Sequence, residues 1–330
     1  MLRLHEFRYH RPAALDDALA LLERHAGDAL PIAGGTDLMP NMKHRLYTPG
    51  HVVSLKGVGE LRGIGRRGGE IVIGAAESLS TVAAHPLVKA HAPSLARAAG
   101  LVAGPQLRNM GTIGGNVCLD TRCTWYNQTK FWRQALGFCL KKDGDTCHVT
   151  KVGRKCVAAH SADTPPVLLT LGAVIDLASP QGERAVAVDD FFVADGIWNT
   201  TRRPDEIVTR IRVPIQDDGV RASFEKLRQR NAIDFPLLNV AAAAKLDGEE
   251  IVWLRVVVSA LGSRPRIVSG LERAAVGHRL KQDVIEAIAQ RAHQQCHPLS
   301  NIIVDPEWRR AMVPVYVRRA LRALAPATAA

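Results

Sequence analysis

The sequence predicts an α+β protein of two domains. Three observations point there. At 330 residues the chain exceeds the usual size of one domain. Over its first two thirds, short apolar strand-like runs mix with helical periodicity. In the last third, three long strand patterns precede three helical ones, the order expected of a compact α+β unit. Between these regions Pro214 to Val220 (PIQDDGV) has linker composition, so the expected domains are 1–217 and 221–330.

Along the chain, Pro12 and Asp16 open a helical pattern that runs to about His25, with Ala14, Leu15, Ala18, Leu19, Leu21 and Leu22 at helical spacing. ALPIAG (29–34) is a buried strand ending in Gly34-Gly35. Asp37 to Lys43 resumes a helix, and HVVSL (51–55) is a second strand. Short strands follow in ELRGIGR and EIVIGA, then helices at 79–84 and 93–101, then the glycine-rich GTIGGN. Beyond a cysteine-rich segment, a helix from Thr164 and strands at AVIDLAS and 206–213 complete the first domain. The second has strands near 222–229, 238–245 and 250–259 and helices near 267–275, 280–295 and 307–325. The alanine-rich tail is expected to fray.

Composition narrows the function classes. The charge is +11, from 43 Lys and Arg against 32 Asp and Glu. Such an excess suits phosphate neutralisation. Here the arginines are scattered along the whole chain, with no RNP-type or finger spacing, so a basic surface or an acidic partner subunit is expected instead of nucleic acid. No run of eighteen apolar residues suggests a membrane span. The amino end is charged throughout, unlike a secretory signal. A cytoplasmic, reducing setting is expected, where clustered cysteines more often bind metal than pair as disulfides.

Two glycine turns carry the chemistry. PIAGGTDL (31–38) sets Gly34, Gly35, Thr36 and Asp37 between a strand and a helix, where the backbone can approach a ligand and helix N–H groups can receive a pyrophosphate. The same pattern also serves as a plain turn capped by Thr36 or Asp37. It is neither GxGxxG nor a P-loop. RNMGTIGGN (108–116) repeats the theme, and two such turns suggest a cofactor clasped between two subdomains.

Between Cys118 and His160 lie Cys118, Cys123, Cys139, Cys147 and Cys156, with eight Lys or Arg and three Asp. Four thiolates can hold tetrahedral zinc or a [4Fe–4S] cluster. No CxxC pair is present, so a zinc staple, a cluster and a bridged loop all stay open. Trp125, Tyr126, Phe131, Trp132 and Phe138 could shield a cluster or form a small core.

Together the AGGTDL turn, the TIGGN turn and Asp163-Thr164-Pro165, in this order, resemble the FAD-binding subunit of the xanthine dehydrogenase and molybdenum hydroxylase family. FRYHRPAALDDALALL resembles that family's opening helix, and FEKLRQRNAIDFPLLNVAAAA (224–244) resembles the entry to its C-terminal domain. The resemblance implies a two-subdomain FAD-binding PCMH-type fold, like that of vanillyl-alcohol oxidase, followed by a smaller α+β CO-dehydrogenase-flavoprotein-like domain. It implies that Pro31, Ile32, Ala33, Gly34, Gly35, Thr36, Asp37 and Leu38 hold the FAD pyrophosphate, and that Thr112, Gly115 and Asn116 complete the phosphate and ribityl contacts. Asp163 would bond polyol or ribose hydroxyls. Val102 would lie against the isoalloxazine and Lys226 near the flavin.

The insertion at about 118–160, with TRC, YNQ and CHV, resembles that of the flavin subunit of 4-hydroxybenzoyl-CoA reductases. That likeness implies a [4Fe–4S] cluster on Cys123, Cys139, Cys147 and Cys156, with Cys118 and Cys296 free. It further implies a molybdopterin large subunit, a small subunit with two [2Fe–2S] clusters, a dimer of heterotrimers, and ferredoxin as electron donor. No acid, base or nucleophile for the substrate is expected in this chain. The alternatives are the same architecture oxidising an aldehyde or heterocycle, and a zinc protein with four cysteine ligands that binds nucleic acid.

Overall fold

In the computed structural model, residues 2–150 and 153–325 are described. The tail expected to fray and Lys151 of the basic insertion lie outside them.

The chain opens with strand β1 (Arg8–His10), helix α1 (Leu15–Arg24), strand β2 (Ala29–Ile32), helix α2 (Leu38–Lys43) and strand β3 (His51–Ser54). These strands form a parallel sheet in the order β1-β3-β2. Parallel strands need crossovers: α1 links β1 to β2 across the sheet, burying Ala18, Leu19 and Leu22 at helical spacing, and α2 links the neighbours β2 and β3. The short edge strand β1 is not legible as a sequence pattern.

A second sheet begins with β4 (Ile64–Arg67) and β5 (Glu70–Gly74). A run of short helices follows: α3 (Leu79–Ala84), α4 (Pro86–His91), α5 (Pro93–Gly100), α6 (Pro105–Met110), α7 (Ile113–Val117), α8 (Lys130–Ala135) and α9 (Thr164–Thr170). Proline at the first turn opens α4, α5 and α6, where its missing N–H costs nothing. Strands β6 (Val174–Ser179) and β7 (Gly182–Ala187), helix α10 (Val188–Phe191) and strand β8 (Ile207–Pro214) close the unit as a five-stranded sheet, β4-β5-β8-β6-β7. The expected strand ELRGIGR is shorter than its pattern, because Gly59–Leu61 turn as a 3-10 helix that buries Leu61.

The last region has β9 (Val220–Leu227), β10 (Leu238–Asp247), β11 (Glu250–Ser259) and β12 (Arg266–Ile267), antiparallel in the order β12-β11-β10-β9, then α11 (Glu272–Ala275), α12 (Gln282–Gln295) and α13 (Pro306–Arg322). The helix expected at 267–275 is a correction: Arg266 and Ile267 pair with β11, and only Glu272–Ala275 is helical. The glycine at 270, with φ of 70°, separates the two.

Central strand β10 shows why this sheet is a partition. Alternate residues of LNVAAAAKLD point to opposite faces. Val240, Ala242 and Ala244 pack among α12 and α13, while Ala241 joins the core around α5 and α9. Small alanines let helices lie close on both faces, so the last region packs directly on the helices that flank the five-stranded sheet.

Arg309, fully buried on α13, has no carboxylate partner among the described residues. It donates to the carbonyls of Leu237 (3.1 Å), Leu299 (3.2 Å) and Ala260 (2.6 Å). The loop it holds reaches the cysteine insertion, where Thr124 N–H donates to Asn301 O (2.8 Å) and the Asn301 amide donates to Val157 O (2.7 Å).

Glu206, 1 % exposed, accepts from Arg184 Nε (2.6 Å) and Nη2 (2.9 Å) and from the Arg203 N–H (2.6 Å). Burial alone would push its carboxyl up, but these donors pull it below its ordinary value. The unfolded chain then binds the proton more tightly, so this contribution is complete above about pH 4.3 and is lost as pH falls through the lower, folded value. Glu206→Gln is expected to cost about 1–3 kcal/mol at neutral pH and to flatten the acid limb of thermal stability; equal slopes for both proteins would refute the assignment.

Candidate flavin site and cysteine pocket

A cavity of about 1110 Å³ opens between the three-stranded sheet, the five-stranded sheet and the insertion, large enough for a ligand of dinucleotide size. Pro31 to Leu38, Val102, Thr112, Gly115, Asn116 and Asp163 all line it. Lys226 does not.

The two glycine turns meet at the cavity floor. A Cβ on Gly34 would overlap the Met110 carbonyl, and one on Gly114 would lie 2.8 Å from the Ala75 carbonyl oxygen. Gly35 has φ of 71°, a left-handed conformation that glycine adopts without strain. Among the described residues, no acceptor takes the N–H groups of Gly34, Gly35 or Thr36. These free donors, two of them on glycines with no side chain to cover them, suit a pyrophosphate.

Thr112 caps α7 by accepting from Gly115 N–H (3.1 Å). Asn116 Oδ1 accepts from the Thr164 N–H (3.1 Å) and hydroxyl (2.7 Å), tying the second turn to α9.

Asp37 lines the cavity and precedes α2, and its carboxylate makes no cap bond, so the alternative of a plain turn capped by this residue does not hold. It instead accepts from Arg122 Nη1 (3.1 Å) and Asn41 Nδ2 (2.9 Å). Burial pushes its pKa up to about 6, against the pull of Arg122. The guanidinium of Arg122 also lies 4.1 Å from the centre of the Phe235 ring, a lining residue at 45 % exposure.

Lys226 is not a solvated surface lysine. Its ammonium, 1 % exposed, sits 2.7 Å from Asp163 Oδ2 and 3.1 Å from the carbonyl of Leu101, next to Val102. Asn239 donates to Asp163 Oδ1 (2.9 Å). Burial raises the Asp163 carboxyl and lowers the Lys226 ammonium, and each partner opposes the shift of the other. Lys226 therefore reaches the cavity through Asp163, and Val102 stands half-buried at its edge.

All six cysteines are free thiols. Cys123, Cys139 and Cys156 share a buried pocket with Leu46, Tyr126 and Ala158. Cys147 joins them as a charge neighbour, since Cys123 feels Cys156, Cys139 and Cys147. Burial, aided by these neighbours, pushes Cys123 up to about 11. For Cys147 burial also raises the pKa, but Thr150 and the N–H groups of Thr150, Val149 and Val157 bring it below the usual value. The Trp125 N–H likewise faces Cys123, and the Ala158 N–H faces Cys156. Backbone donors aimed at sulfur stabilise thiolates.

Zinc and iron–sulfur clusters both use sets of four thiolates. Among the described residues, no three cysteine sulfurs come within 4.8 Å of one another. Cys118 lies apart, lining the cavity and influenced by Arg202.

Of the insertion's aromatics, Tyr126 and Trp125 pack on the cysteines. Phe131, at 84 % exposure, shields nothing. Much of the basic excess is paired: Arg133, 1 % exposed, with Asp143, Lys142 with the same carboxylate, and Lys141 with Asp120.

Comparison with known proteins agrees with this geometry. Residues 5–216 match the model for the FAD binding domain in molybdopterin dehydrogenase, and residues 222–324 match the CO dehydrogenase flavoprotein C-terminal domain. The chain belongs to the family of FAD-binding subunits of molybdenum hydroxylases. It is 30% identical over 315 residues to the carbon monoxide dehydrogenase medium chain of Afipia carboxidovorans, covering 96% of this chain and 95% of that one. It is 28% identical to the glyceraldehyde dehydrogenase medium chain of Sulfolobus acidocaldarius, covering 97% and 99%. Among solved structures, carbon monoxide dehydrogenase from Hydrogenophaga pseudoflava superposes with a TM-score of 0.81 at 28% identity, covering 98% of each chain.

Sequence reasoning missed a second tier of this flavin-binding site. Tyr47 donates to Asp120 Oδ2 (2.5 Å), Tyr126 donates to the same oxygen (3.1 Å), and Lys141 Nζ reaches Asp120 Oδ1 (2.6 Å) and Gly196 O (2.7 Å). All four side chains line the cavity. Leu46 and Tyr126 face both the cavity and the cysteine pocket, so the wall between them is one side chain thick. Tyr47 lies some seventy residues from Asp120, and only folding brings them together.

Two outcomes follow. Gly34→Ala is expected to lower FAD bound per chain at least tenfold, because the methyl group would displace Met110 and with it the second turn; the flavin content of the purified protein checks it. Lys226→Met, which strands a buried carboxylate, is expected to cost about 3–5 kcal/mol by denaturant unfolding, with part recovered in the double variant Asp163→Asn/Lys226→Met. A double variant no more stable than Lys226→Met would refute that coupling.

Proposed function

We propose that this chain is the flavin- and [4Fe–4S]-carrying electron-transfer subunit of a molybdenum hydroxylase-type complex that works reductively, as 4-hydroxybenzoyl-CoA reductases do. The gathering of Cys123, Cys139, Cys147 and Cys156 in one pocket, sharing Leu46 and Tyr126 with the flavin cavity, is the observation that supports it. When bound, the cluster and FAD supply electron transfer, linking a ferredoxin donor to two [2Fe–2S] clusters and molybdopterin on partner subunits, where a phenolic hydroxyl is removed.

The chain's own residues bind and insulate. The turn at 31–38 holds the pyrophosphate on its free N–H groups, and Thr112, Gly115 and Asn116 shape the far side of the same floor. Asp163, held in place by Lys226 and Asn239, accepts from sugar or polyol hydroxyls, and Val102 offers an apolar edge to the ring system. The four cysteines ligate iron, and backbone N–H groups at 125, 149 and 158 spread the charge of the thiolates. Tyr126 and Leu46 exclude water from the interval between the two sites, while Lys141 places positive charge beside both. A domain boundary between 217 and 221, a dimer of heterotrimers and a cytoplasmic setting complete the proposal.

A second reading has support of its own: the relatives carry names of oxidising enzymes, carbon monoxide and glyceraldehyde dehydrogenases. In that reading the same subunit accepts electrons drawn from an aldehyde or heterocycle. The purified complex separates the two: reduced ferredoxin should drive dehydroxylation of 4-hydroxybenzoyl-CoA, whereas aldehyde- or heterocycle-dependent dye reduction without it favours oxidation.

The cofactor content has its own test. Anaerobically purified protein should show flavin bands over a broad iron–sulfur absorption, with about four irons per chain. A colourless protein with one zinc would overturn the proposal. Cys118→Ser should keep the iron, and Cys147→Ser should lose it; the reverse would overturn the ligand set.

A further inference from the structure

Three histidines outside the flavin and cysteine sites converge on the edge of the first sheet. His10 ends β1, His51 begins β3, and His25 caps the C-terminus of α1. Their donor atoms all lie within 4.8 Å of one another, and all three side chains are half-buried. His10 Nε2 and His51 Nδ1 are 2.8 Å apart and share one hydrogen. The rings of His25 and His51 stack at 3.6 Å, with 12° between their planes.

Backbone bonds fix this arrangement from three directions. Arg8 pairs with His51 across the β1–β3 ladder. His51 N–H donates to Asp28 O (3.0 Å), and Asp28 N–H donates to His25 O (3.0 Å). The carriers of the rings therefore cannot separate without breaking sheet or turn bonds. The titratable groups that face His25 are cationic or neutral: His51, His10, Arg24 and Arg8.

We infer that His10, His25 and His51 form a structural site for one borderline divalent transition-metal ion, such as Zn²⁺, Co²⁺ or Ni²⁺. Imidazole donors select such ions over Mg²⁺ and Ca²⁺, which want oxygen. At about 2.0–2.1 Å from the ion, tetrahedral donors stand roughly 3.3 Å apart, so His10 and His51 need to part only slightly. No proton leaves: the ring that donates the shared hydrogen changes tautomer, and the metal takes its place. His25 must turn about its Cβ–Cγ bond to aim its lone pair at the ion, since stacked rings do not share a donor direction. Water takes the fourth position. Bound there, the ion would clip α1 to the start of β3, at the end of the sheet opposite the Gly34-Gly35 turn. The site needs neither the flavin nor the cluster, so its failure leaves the electron-transfer proposal untouched.

Co²⁺ titration of the cofactor-loaded complex tests it. One equivalent per chain should give visible tetrahedral bands without near-ultraviolet thiolate-to-cobalt absorption, which distinguishes these histidines from the cysteines. His25→Ala and His51→Ala should each weaken binding at least tenfold while flavin and iron contents are unchanged. His25 lies in an exposed turn, so His25→Ala remains informative if His51→Ala fails to fold. Wild-type affinity in His25→Ala, absorption from cobalt bound to thiolate alone, or no saturable binding would each overturn the inference.

Discussion

The close approach of two backbone turns governs the rest of the molecule. Gly34 lies against the Met110 carbonyl with no room for a methyl group, and Gly114 lies close to Ala75, where an added Cβ would be 2.7 Å from the alanine Cβ. Side chains at these points would hold the two sheets apart by the thickness of a residue. Because they are absent, β2 and α7 deliver their ends to one floor, and N–H groups that a packed helix or strand would have used stay available. The cavity exists because of this contact, and the insertion is placed by its continuation. Asn116 and Thr164 carry the second turn to α9, and Asp163 carries it to β9 and β10 through Lys226 and Asn239.

The insertion is held from both sides. Arg133 reaches back to the carbonyls of His44 and Arg45 beyond α2, and Asn301, in the loop steadied by Arg309, holds Val157 beside Cys156. Two buried guanidiniums with largely carbonyl partners are costly to desolvate, and their hydrogen bonds are directional. They restrict the cysteine segment to one placement, with Tyr126 and Leu46 turned toward the cavity. The Asp120, Tyr47, Tyr126 and Lys141 network makes the wall between cavity and cysteine pocket polar yet closed.

Much of this was legible in the sequence. Every residue expected at the flavin site lines the cavity except Lys226, which stands one ion pair behind it. Glycine is readable because its lack of a side chain is itself the functional property. That the insertion is rich in cysteine is legible from residue type; which of the cysteines share a pocket, with Cys118 on the cavity wall instead, is decided by the fold. The alternative reading of Asp37 as a helix cap does not hold, because Asn41 and Arg122, the latter distant in sequence, take its carboxylate. The helix expected at 267–275 failed because strand pairing with β11 overrode local propensity.

The sequence by itself determined the α+β class, the two glycine turns, the thiol set and the family they resemble, all properties of residue type and local spacing. The tertiary structure decided which groups meet. Tyr47 with Asp120, Lys226 with Asp163 and the three histidines at the sheet edge depend on chain segments far apart in number. Local periodicity carries no record of such pairs, because they form only when crossovers and sheet register bring their backbones within side-chain reach.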